Sequence, residues 1–315
     1  MRFLGVDLHK WSFHVCYYTA TGSIHREYRL QDLALFIATL RSSDRVAVEA
    51  TGNSRYFVKA IEAYVAQVIV VNPRQFRVIE QSVKKTDRND AELLARFLSF
   101  EGLLPEVKMS EEAASELKSL ANTRTKLVQL RTSLKNKIHG VLNFHSIAVK
   151  KESFSSEKGL NRALTAEGLS EGARFEVEIL VEQIRNLTVS IKKIDVELEE
   201  RGKSLPGHRN LTSIKGIGDK SASILLSVIG DIKNFPSRKQ LDCYFGIVPK
   251  VRDSGDTVRH GHISKQGSKL GRTTLVQCTL IAIRYSPYLK RYYERLKRKK
   301  GSGKAIIATA RKLLY

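Results

Sequence analysis

Residues 3–30, FLGVDLHKWSFHVCYYTATGSIHREYRL, carry the pattern from which the fold of the first part of the chain is predicted. This stretch holds three successive segments rich in Val, Ile and aromatic residues, as in β-strands, at residues 3–6, 12–18 and 24–30. Helical patterns at residues 31–40 and 54–64 then alternate with strand patterns at residues 45–50 and 68–71. Because parallel strands are normally joined by a helix, this order predicts a mixed sheet with helices on its faces.

Beyond residue 110 the apolar residues recur every seven positions. The first series is Leu120, Leu127, Leu134 and Val141, and the second is Val177, Ile184, Ile191 and Leu198. This spacing predicts two coiled-coil-like helices, and two ordinary amphipathic core helices are the alternative. Residues 150–172 between them, rich in Ser, Lys, Glu and Gly, are predicted to be a connection.

The last third of the chain has short helical patterns broken by glycine turns. A basic loop is predicted over residues 248–269, then a helix over 271–285 and a basic run, RYYERLKRKK. The chain is therefore predicted to be a multidomain α/β plus α protein. Its expected domains are a mixed-sheet domain (1–105), a coiled-coil and linker segment (106–202) and a helical domain (203–315).

Charge and composition exclude several classes of protein. The chain carries 54 Lys and Arg against 32 Asp and Glu, a net charge of +22, and residues 203–315 contribute +18 of it. Such an excess favours a polyanionic partner, above all nucleic acid. With no apolar run of about 18 residues, a membrane protein is not expected. The three cysteines are far apart and show no zinc or disulfide spacing, which fits a reducing cytoplasm.

Four carboxylates lie where elements are predicted to begin or end. Asp7 and Glu49 sit at the ends of apolar strands, and Asp87 and Asp90 are three residues apart at the start of a helix. Converging carboxylates are usually held together by a divalent cation with oxygen ligands, here Mg²⁺ or Mn²⁺. The alternatives are a strand-ending Asp7, a surface ion pair for Glu49, and a helix N-cap for Asp87 or Asp90.

The segment LTSIKGIGDKSASILLSVIGD, residues 211–231, resembles a helix-hairpin-helix. Its glycines, Gly216 and Gly218, would let backbone N–H groups approach phosphates, with Lys215 and Lys220 beside them. A plain glycine turn between packed helices is the alternative.

The loop that follows carries basic side chains among small polar residues. Five of them are candidate phosphate contacts: Arg252, Arg259, Lys265, Lys269 and Arg272. Ser254 is the candidate nucleophile, and the alternative is an ordinary turn residue. Ser264 and Ser268 are rival hydroxyls, of which Ser268 is the better placed to be the N-cap of the next helix.

Together these motifs resemble the DEDD transposases of bacterial insertion sequences, the insertion sequence one-ten family of bridge-RNA-guided recombinases, with the related DNA invertases. The resemblance rests on GVDLHK (5–10), VAVEATGN (46–53), KKTDRNDAELLA (84–95), the glycine hairpin, LDCYFGIVPKVRDSG (241–255) and GHISKQGSKLGR (261–272). It implies that Asp7, Glu49, Asp87 and Asp90 are the catalytic, metal-binding acids and that Ser254 is the nucleophile. It also implies a RuvC-like (RNase H-like) first domain and a helical transposase domain with a helix-hairpin-helix.

The resemblance further implies a homodimer or homotetramer around a noncoding bridge RNA, a donor DNA and a target DNA. The C-terminus is expected to stop short of the family's usual last helix. The predicted function is a Mg²⁺-dependent DNA transposase that cleaves and rejoins strands through a phosphoserine intermediate. A hydrolytic RuvC-like nuclease, which would not need Ser254, is one alternative, and a nonenzymatic architectural protein is the other.

Overall fold

The computed structural model describes residues 2–73, 75–76, 86–150, 154–254 and 257–314, and only the backbone of residues 252–254 and 257–260. The chain divides into two compact units, Met1–Met109 and Ser110–Tyr315. The first unit therefore ends close to the predicted boundary at residue 105. The separation of residues 106–202 from 203–315 stays a prediction.

A five-stranded mixed sheet forms the first unit. Its strands are β1 (Phe3–Leu8), β2 (Ser12–Thr19), β3 (Gly22–Arg29), β4 (Arg45–Glu49) and β5 (Gln67–Val71). Their order is β3-β2-β1-β4-β5, with β1, β2 and β3 antiparallel and β1, β4 and β5 parallel. The predicted mixed sheet is confirmed.

Two short helices, α1 (Leu33–Ile37) and α2 (Ser54–Ile61), cover one face of this sheet. Phe13 of β2 packs edge-on against Phe36 of α1 and Phe57 of α2, with ring centroids 5.2 and 5.1 Å apart. All three rings are fully buried. Burying a side chain of this size contributes about 1.5–3 kcal/mol, so this cluster anchors both helices to the sheet.

A third helix, α3 (Asp87–Ser99), lies on the opposite face, against β1 and β2. The contact is close because the facing residues are small. Ala91 and Ala95 of α3 are fully buried, and a Cβ placed on Gly5 of β1 would lie 1.9 Å from the Ala91 carbonyl oxygen. The absence of a side chain at residue 5 therefore fixes how closely α3 approaches the sheet.

The second unit begins with two long helices, α4 (Glu112–Phe144) and α6 (Glu171–Gly202), with α5 (Glu157–Leu164) between them. α4 and α6 pack antiparallel. Ile138 and Leu142, near the end of α4, share a cluster with Val177 and Ile184 in the first half of α6. Leu117, near the start of α4, shares another cluster with Leu198, near the end of α6. Ser170, the N-cap of α6, accepts a hydrogen bond from the Ala173 N–H.

The heptad residues Leu127, Leu134, Ile184 and Ile191 predict an apolar seam covered by a second chain, with an antiparallel hairpin inside one chain as the alternative. The structure has the hairpin: Ile184 and Ile191 are buried within one chain, and Leu127 and Leu134 are half-buried. The dimer itself stays a prediction. An antiparallel hairpin uses the same heptad spacing as an intermolecular coiled coil, so the spacing alone does not say which chain supplies the partner helix.

The described residues in the remainder of the second unit form mainly helices and one hairpin. Its helices are α7 (His208–Thr212), α8 (Asp219–Ile229), α9 (Arg238–Phe245), α10 (Lys269–Tyr285), α11 (Pro287–Lys300) and α12 (Ser302–Leu313). α8, α9, α10 and α12 share one apolar core around Phe245. The predicted loop is partly a two-stranded hairpin, β6 (Pro249–Ser254) and β7 (Thr257–Ile263). Among the described residues, no helix combines the length and apolar character needed to cross a bilayer.

Candidate functional site

The parallel pairing of β1 and β4 brings two of the four acids to one edge of the sheet. Val6 of β1 is in register with Val48 of β4, so Asp7 and Glu49, the next residue of each strand, lie side by side. Asp7 is buried and Glu49 is half-buried. Because both strands run in the same direction, their carboxyl ends meet at this edge, where open sheets commonly bind ligands.

The first turn of α3 supplies the other two acids. Thr86 is its N-cap, and the Thr86 side chain accepts a hydrogen bond from the Asn89 N–H at 3.3 Å. The alternative that Asp87 or Asp90 caps this helix is therefore wrong. Asp87 is exposed and Asp90, one turn later, is buried. Their negative charges are favourable at the positive end of the helix dipole.

The four carboxylates line one cavity of about 490 Å³, together with Leu8, His9, Thr51, Pro73, Phe76 and Thr86. Asp7, Glu49, Asp87 and Asp90 are therefore brought together as the sequence predicted. The acids come from three separate elements, so their convergence is produced by the fold and not by any local turn.

His9 is a residue of this cavity that the sequence analysis did not assign. Its Nε2 lies 3.0 Å from Asp87 Oδ2 and 3.5 Å from Asp7 Oδ2. Asp7, His9 and Asp87 each offer one ligand atom, and these atoms lie within 4.8 Å of one another. The only signal in the sequence is the position of His9, two residues after a strand-ending acid.

Burial raises the pKa of Asp7 to about 6, and the nearby charges of Asp87, Glu49 and Asp90 add to this effect while His9 opposes it. Partial burial lowers the pKa of His9, but the Asp7 and Asp87 carboxylates outweigh it, so the net pKa of His9 is raised. Both shifts show that negative charge is concentrated in a partly desolvated space.

This donor set fits a hard divalent cation. Carboxylate oxygens are the ligands that Mg²⁺ and Mn²⁺ take in proteins, and a cation would relieve the repulsion that raises the Asp7 pKa. Asp7, Glu49, Asp87 and Asp90 are the residues that could hold it.

The turn after β4 is connected directly to the turn after β1. Asn53 Nδ2 donates a hydrogen bond to the His9 carbonyl oxygen at 2.8 Å. Ser54 Oγ donates to the Glu49 carbonyl oxygen at 3.0 Å and accepts from the Thr51 N–H at 2.6 Å. The Asn53 bond joins the ends of the two acid-bearing strands, and the Ser54 bonds fix the turn that carries Asn53.

In the second unit, Ser254 is the last residue of β6 and pairs with Thr257 of β7. It therefore lies at the tip of a hairpin, next to residues 255 and 256, which are outside the described residues. The side chains of Ser254, Arg252 and Arg259 also lie outside them. Ser268 is the N-cap of α10, and its side chain accepts a hydrogen bond from the Gly271 N–H at 3.0 Å, so this rival hydroxyl has a structural role.

The two glycines of the predicted helix-hairpin-helix have different surroundings. Gly216 has a positive φ of 115°, and a Cβ there would lie 2.7 Å from the Ala282 N atom of α10. Gly216 is thus required for packing within the unit. Gly218 is the N-cap of α8 and has open space beside it. Phosphate binding at this turn stays a prediction, with Gly218 the freer of the two positions.

The candidate basic residues divide into exposed and structural side chains. Lys215, Lys265 and Lys269 are exposed. Lys220 instead forms an ion pair with Asp195 of α6 at 3.0 Å, and the Arg272 guanidinium donates to the Phe245 carbonyl oxygen at 2.9 Å. The exposed lysines are therefore available to a phosphate backbone, whereas Lys220 and Arg272 also hold the fold.

A second basic surface is formed by α11. This helix carries seven Lys or Arg residues and a single acid, Glu294, and all eight charged side chains are exposed. Within the described part of the chain, none of the seven basic side chains forms an ion pair. Tyr288 and Tyr292 of α11 lie about one turn apart, with the Lys312 ammonium near both rings. Uncompensated positive charge next to aromatic rings is typical of nucleic-acid-binding surfaces.

Two family models match this chain. Residues 4–147 match a model described as DEDD transposase of the IS110 type, and residues 208–294 match the model of the transposase IS116/IS110/IS902 family. The first match contains all four acids of the cavity, and the second contains the glycine hairpin and Ser254.

Three curated relatives resemble the chain over most of its length. A transposase for insertion sequence element IS1111A from Coxiella burnetii is 26% identical over 99% of this chain and 87% of the relative. A transposase for IS1328 from Yersinia enterocolitica is 26% identical over 90% of this chain and 85% of the relative. A pilin gene-inverting protein from Moraxella bovis is 25% identical over 99% of this chain and 93% of the relative.

Proposed function

The chain belongs to the IS110/IS116/IS902 family of transposases, which are enzymes that cleave and rejoin DNA. We propose that it is a Mg²⁺- or Mn²⁺-dependent recombinase with a serine nucleophile. Asp7, Glu49, Asp87 and Asp90 form its metal site and Ser254 attacks the DNA. The observation that carries the proposal is the convergence of the four carboxylates on one cavity.

Each acid has a distinct structural support in that cavity. The strand ends hold Asp7 and Glu49, and the first turn of α3 holds Asp87 and Asp90. His9 contacts both Asp7 and Asp87 and keeps these carboxylates oriented. A bound divalent cation would supply electrophilic stabilisation of the scissile phosphate and of the charge that develops on the attacking oxygen. This domain is then a RuvC-like, RNase H-like catalytic domain.

The covalent step is a transesterification at phosphorus. The Ser254 hydroxyl loses its proton, and its Oγ forms a bond to the phosphorus atom of the scissile phosphodiester. The bond from phosphorus to one deoxyribose oxygen breaks, and that oxygen takes up a proton. A hydroxyl on a second DNA end then loses its proton and its oxygen bonds to the same phosphorus, while Ser254 Oγ leaves and takes up a proton. Strand exchange therefore conserves the number of phosphodiester bonds.

Guidance by a noncoding bridge RNA is the part of the proposal that explains the amount of positive charge. Residues 203–315 carry +18 of the net charge, and α11 alone presents seven basic side chains. Polyanion contacts of this kind bind the backbone without reading the sequence, so base pairing by an RNA would choose donor and target DNA. Sequencing of RNA that copurifies with the full chain tests this part, and preparations without a discrete RNA would contradict it.

The acids and Ser254 belong to different compact units, so the active site needs the two units to meet. We place this meeting between two subunits of a homodimer or homotetramer. Helices of about 30 residues span about 45 Å, but α4 and α6 fold back on each other, so that Leu117 and Leu198 share a cluster and the helix length does not by itself separate the two domains. A site completed in trans therefore rests on the proposed homodimer or homotetramer, and complementation tests it.

The test of the nucleophile is a covalent adduct between the full chain and labelled DNA that carries the ends of the element. Wild-type protein should form the adduct in Mg²⁺, and mass spectrometry should locate it on Ser254. Ser254→Ala should lose the adduct and Ser264→Ala, the matched control, should keep it. An adduct on Ser264 or Ser268 would overturn the assignment.

The test of the composite site is complementation. Ser254→Ala protein and Asp7→Asn protein are each expected to be inactive, and mixing them should restore one functional site per mixed dimer. Mixtures as inactive as the single variants would place the acids and the serine in the same subunit. Cleavage that persists in Ser254→Ala without an adduct would favour the hydrolytic nuclease.

A further inference from the structure

The only tryptophan of the chain is strongly exposed. Trp11 lies in the turn between β1 and β2, and 74% of its surface is accessible. A large apolar ring is normally buried, and an indole left in water forgoes the favourable free energy of burial. Exposed aromatic residues of this size are therefore candidates for a binding contact.

The backbone around Trp11 is held at several points. The His9 N–H donates to the Ser12 carbonyl oxygen at 2.9 Å, which closes the turn, and the Leu30 N–H donates to the Trp11 carbonyl oxygen at 2.8 Å. Asn53 Nδ2 donates to the His9 carbonyl oxygen at 2.8 Å. The indole is thus carried on an ordered turn, and this turn would lose little additional backbone entropy when a ligand binds.

A positive charge accompanies the ring. The Lys10 ammonium lies 4.8 Å from the centroid of the Trp11 ring. Lys10 and Trp11 are both exposed and adjacent in sequence. This pair offers a cation and a flat aromatic surface together, which matches the phosphate and the base of a nucleotide.

The pair directly follows a residue that lines the acid cavity. His9, the preceding residue, lines that cavity and contacts Asp7 and Asp87. The β1–β2 turn and the turn after β4, which follows Glu49, are joined by the Asn53 hydrogen bond. A strand whose phosphate occupied the cavity would therefore pass this turn.

We propose that Trp11 stacks on a nucleobase of the DNA strand that occupies the acid cavity, with Lys10 on a neighbouring phosphate of that strand. This inference rests on the proposed function, because it takes DNA to be the substrate of the cavity. Every base has a π-face, so the contact positions the strand without selecting a sequence. A base in a duplex is already stacked, so the contact requires a base that is unstacked or single-stranded.

Intrinsic fluorescence tests the contact directly, since Trp11 is the sole tryptophan. The full chain is titrated with a dye-labelled oligothymidylate and with a dye-labelled oligomer of the same length that lacks bases. Dye anisotropy reports binding and tryptophan emission reports stacking. Both oligomers should bind, and only the oligothymidylate should quench Trp11. Saturated binding of oligothymidylate with unchanged emission, or equal quenching by both oligomers, would overturn the stacking contact.

Substitutions provide the second measurement. Trp11→Ala should weaken oligothymidylate binding about tenfold and leave binding of the baseless oligomer unchanged, whereas Trp11→Phe should keep most of the affinity. The matched control is Phe100→Ala, which removes an aromatic side chain that is 60% exposed at the other end of α3. Equal losses in Trp11→Ala and Phe100→Ala would overturn the inference.

The outcomes also separate this inference from the function on which it rests. The recombinase proposal stands if Asp7→Asn loses strand cleavage. The stacking contact is removed, independently of that result, if Trp11→Ala binds DNA with unaltered affinity and DNA leaves the Trp11 emission of the wild type unaltered. If neither oligomer binds at any concentration, the stacking contact and the recombinase proposal are both contradicted.

Discussion

Gly5 of β1 lies directly against the Ala91 carbonyl of α3: a Cβ on Gly5 would be 1.9 Å from that oxygen and 2.5 Å from the Ala95 N atom. Both neighbours are backbone atoms, which cannot rotate away as a side-chain end could. α3 carries Asp87 and Asp90, and β1 carries Asp7. The Gly5 contact therefore sets the distance between the two elements that supply three of the four acids.

Gly5→Ala is expected to push α3 away from the sheet and to disrupt the acid cavity. Overpacking of a core typically costs about 1–3 kcal/mol, and a contact with backbone should reach the upper part of that range. Thermal unfolding should show a Tm lowered by several degrees, and Mn²⁺ binding measured by calorimetry should weaken. Gly52→Ala is the control, because nothing lies within 4 Å of a Cβ there. Equal behaviour of the two variants would contradict the role of Gly5.

Asp7→Asn is expected to stabilise the metal-free protein at neutral pH. The pKa of Asp7 is about 6 in the folded chain against an ordinary value of 3.8. The folded state therefore holds this proton more tightly than the unfolded state does. The resulting destabilisation is absent below about pH 4, develops between pH 4 and 6, and reaches about 1–3 kcal/mol above pH 6. The Tm of Asp7→Asn should exceed that of wild type at pH 7.5, with the difference vanishing near pH 4.

A divalent cation should reverse that order. Mn²⁺ should raise the Tm of the wild type, since it binds the folded state, and should have little effect on Asp7→Asn. Strand cleavage should be lost in the variant while duplex binding is nearly retained. Glu62→Gln removes an exposed carboxylate elsewhere in the same unit and should behave as wild type. Cleavage by Asp7→Asn at the wild-type rate would make the cluster a structural feature.

Replacing Lys215, Lys265 and Lys269 with Ala should weaken DNA binding for all sequences alike. Each exposed lysine that contacts a phosphate contributes about one unit to the slope of log affinity against log salt concentration, so the triple variant should lower the slope by about three. Lys220→Met is the contrast, because Lys220 pairs with Asp195. That variant should lose thermal stability and keep the slope. An affinity for DNA that does not depend on salt would falsify the prediction.

The hairpin of α4 and α6 changes which substitutions should dissociate a dimer. Ile184 and Ile191 are buried inside the chain, so Ile191→Asp should unfold the hairpin. Another set of apolar side chains on α6 is exposed, namely Phe175, Ile179, Val189 and Val196. We expect a second copy to cover this set, with Val189 and Val196 seven residues apart on the same side of the helix.

Val189→Asp combined with Val196→Asp should therefore give a folded monomer. Sedimentation velocity measures the association state, and circular dichroism with thermal unfolding checks the fold. If the double variant still forms a dimer, the interface lies elsewhere. If the wild-type chain without ligand sediments as a folded monomer, the prediction of a dimer is wrong.

The composition and local spacing of the chain determined much of this description. The alternation of strand and helix patterns in residues 3–71 predicted the five strands in their order along the chain, because apolar periodicity reports directly on which face of an element is buried. The charge of residues 203–315 indicated a polyanionic partner. The position of Asp7 and Glu49 at strand ends, with Asp87 and Asp90 three residues apart, was enough to select the four acids of the cavity.

Other features depended on contacts between residues far apart in sequence. The Gly5 contact with Ala91, the place of His9 between Asp7 and Asp87, and the Asn53 bond to the His9 carbonyl each join elements that local spacing does not relate. The heptads of α6 predicted a buried seam but not its partner, because the same periodicity serves a helix of the same chain or of another. Periodicity describes one element at a time, whereas the approach of two elements is set by the side chains at their contact, which only the tertiary structure brings together.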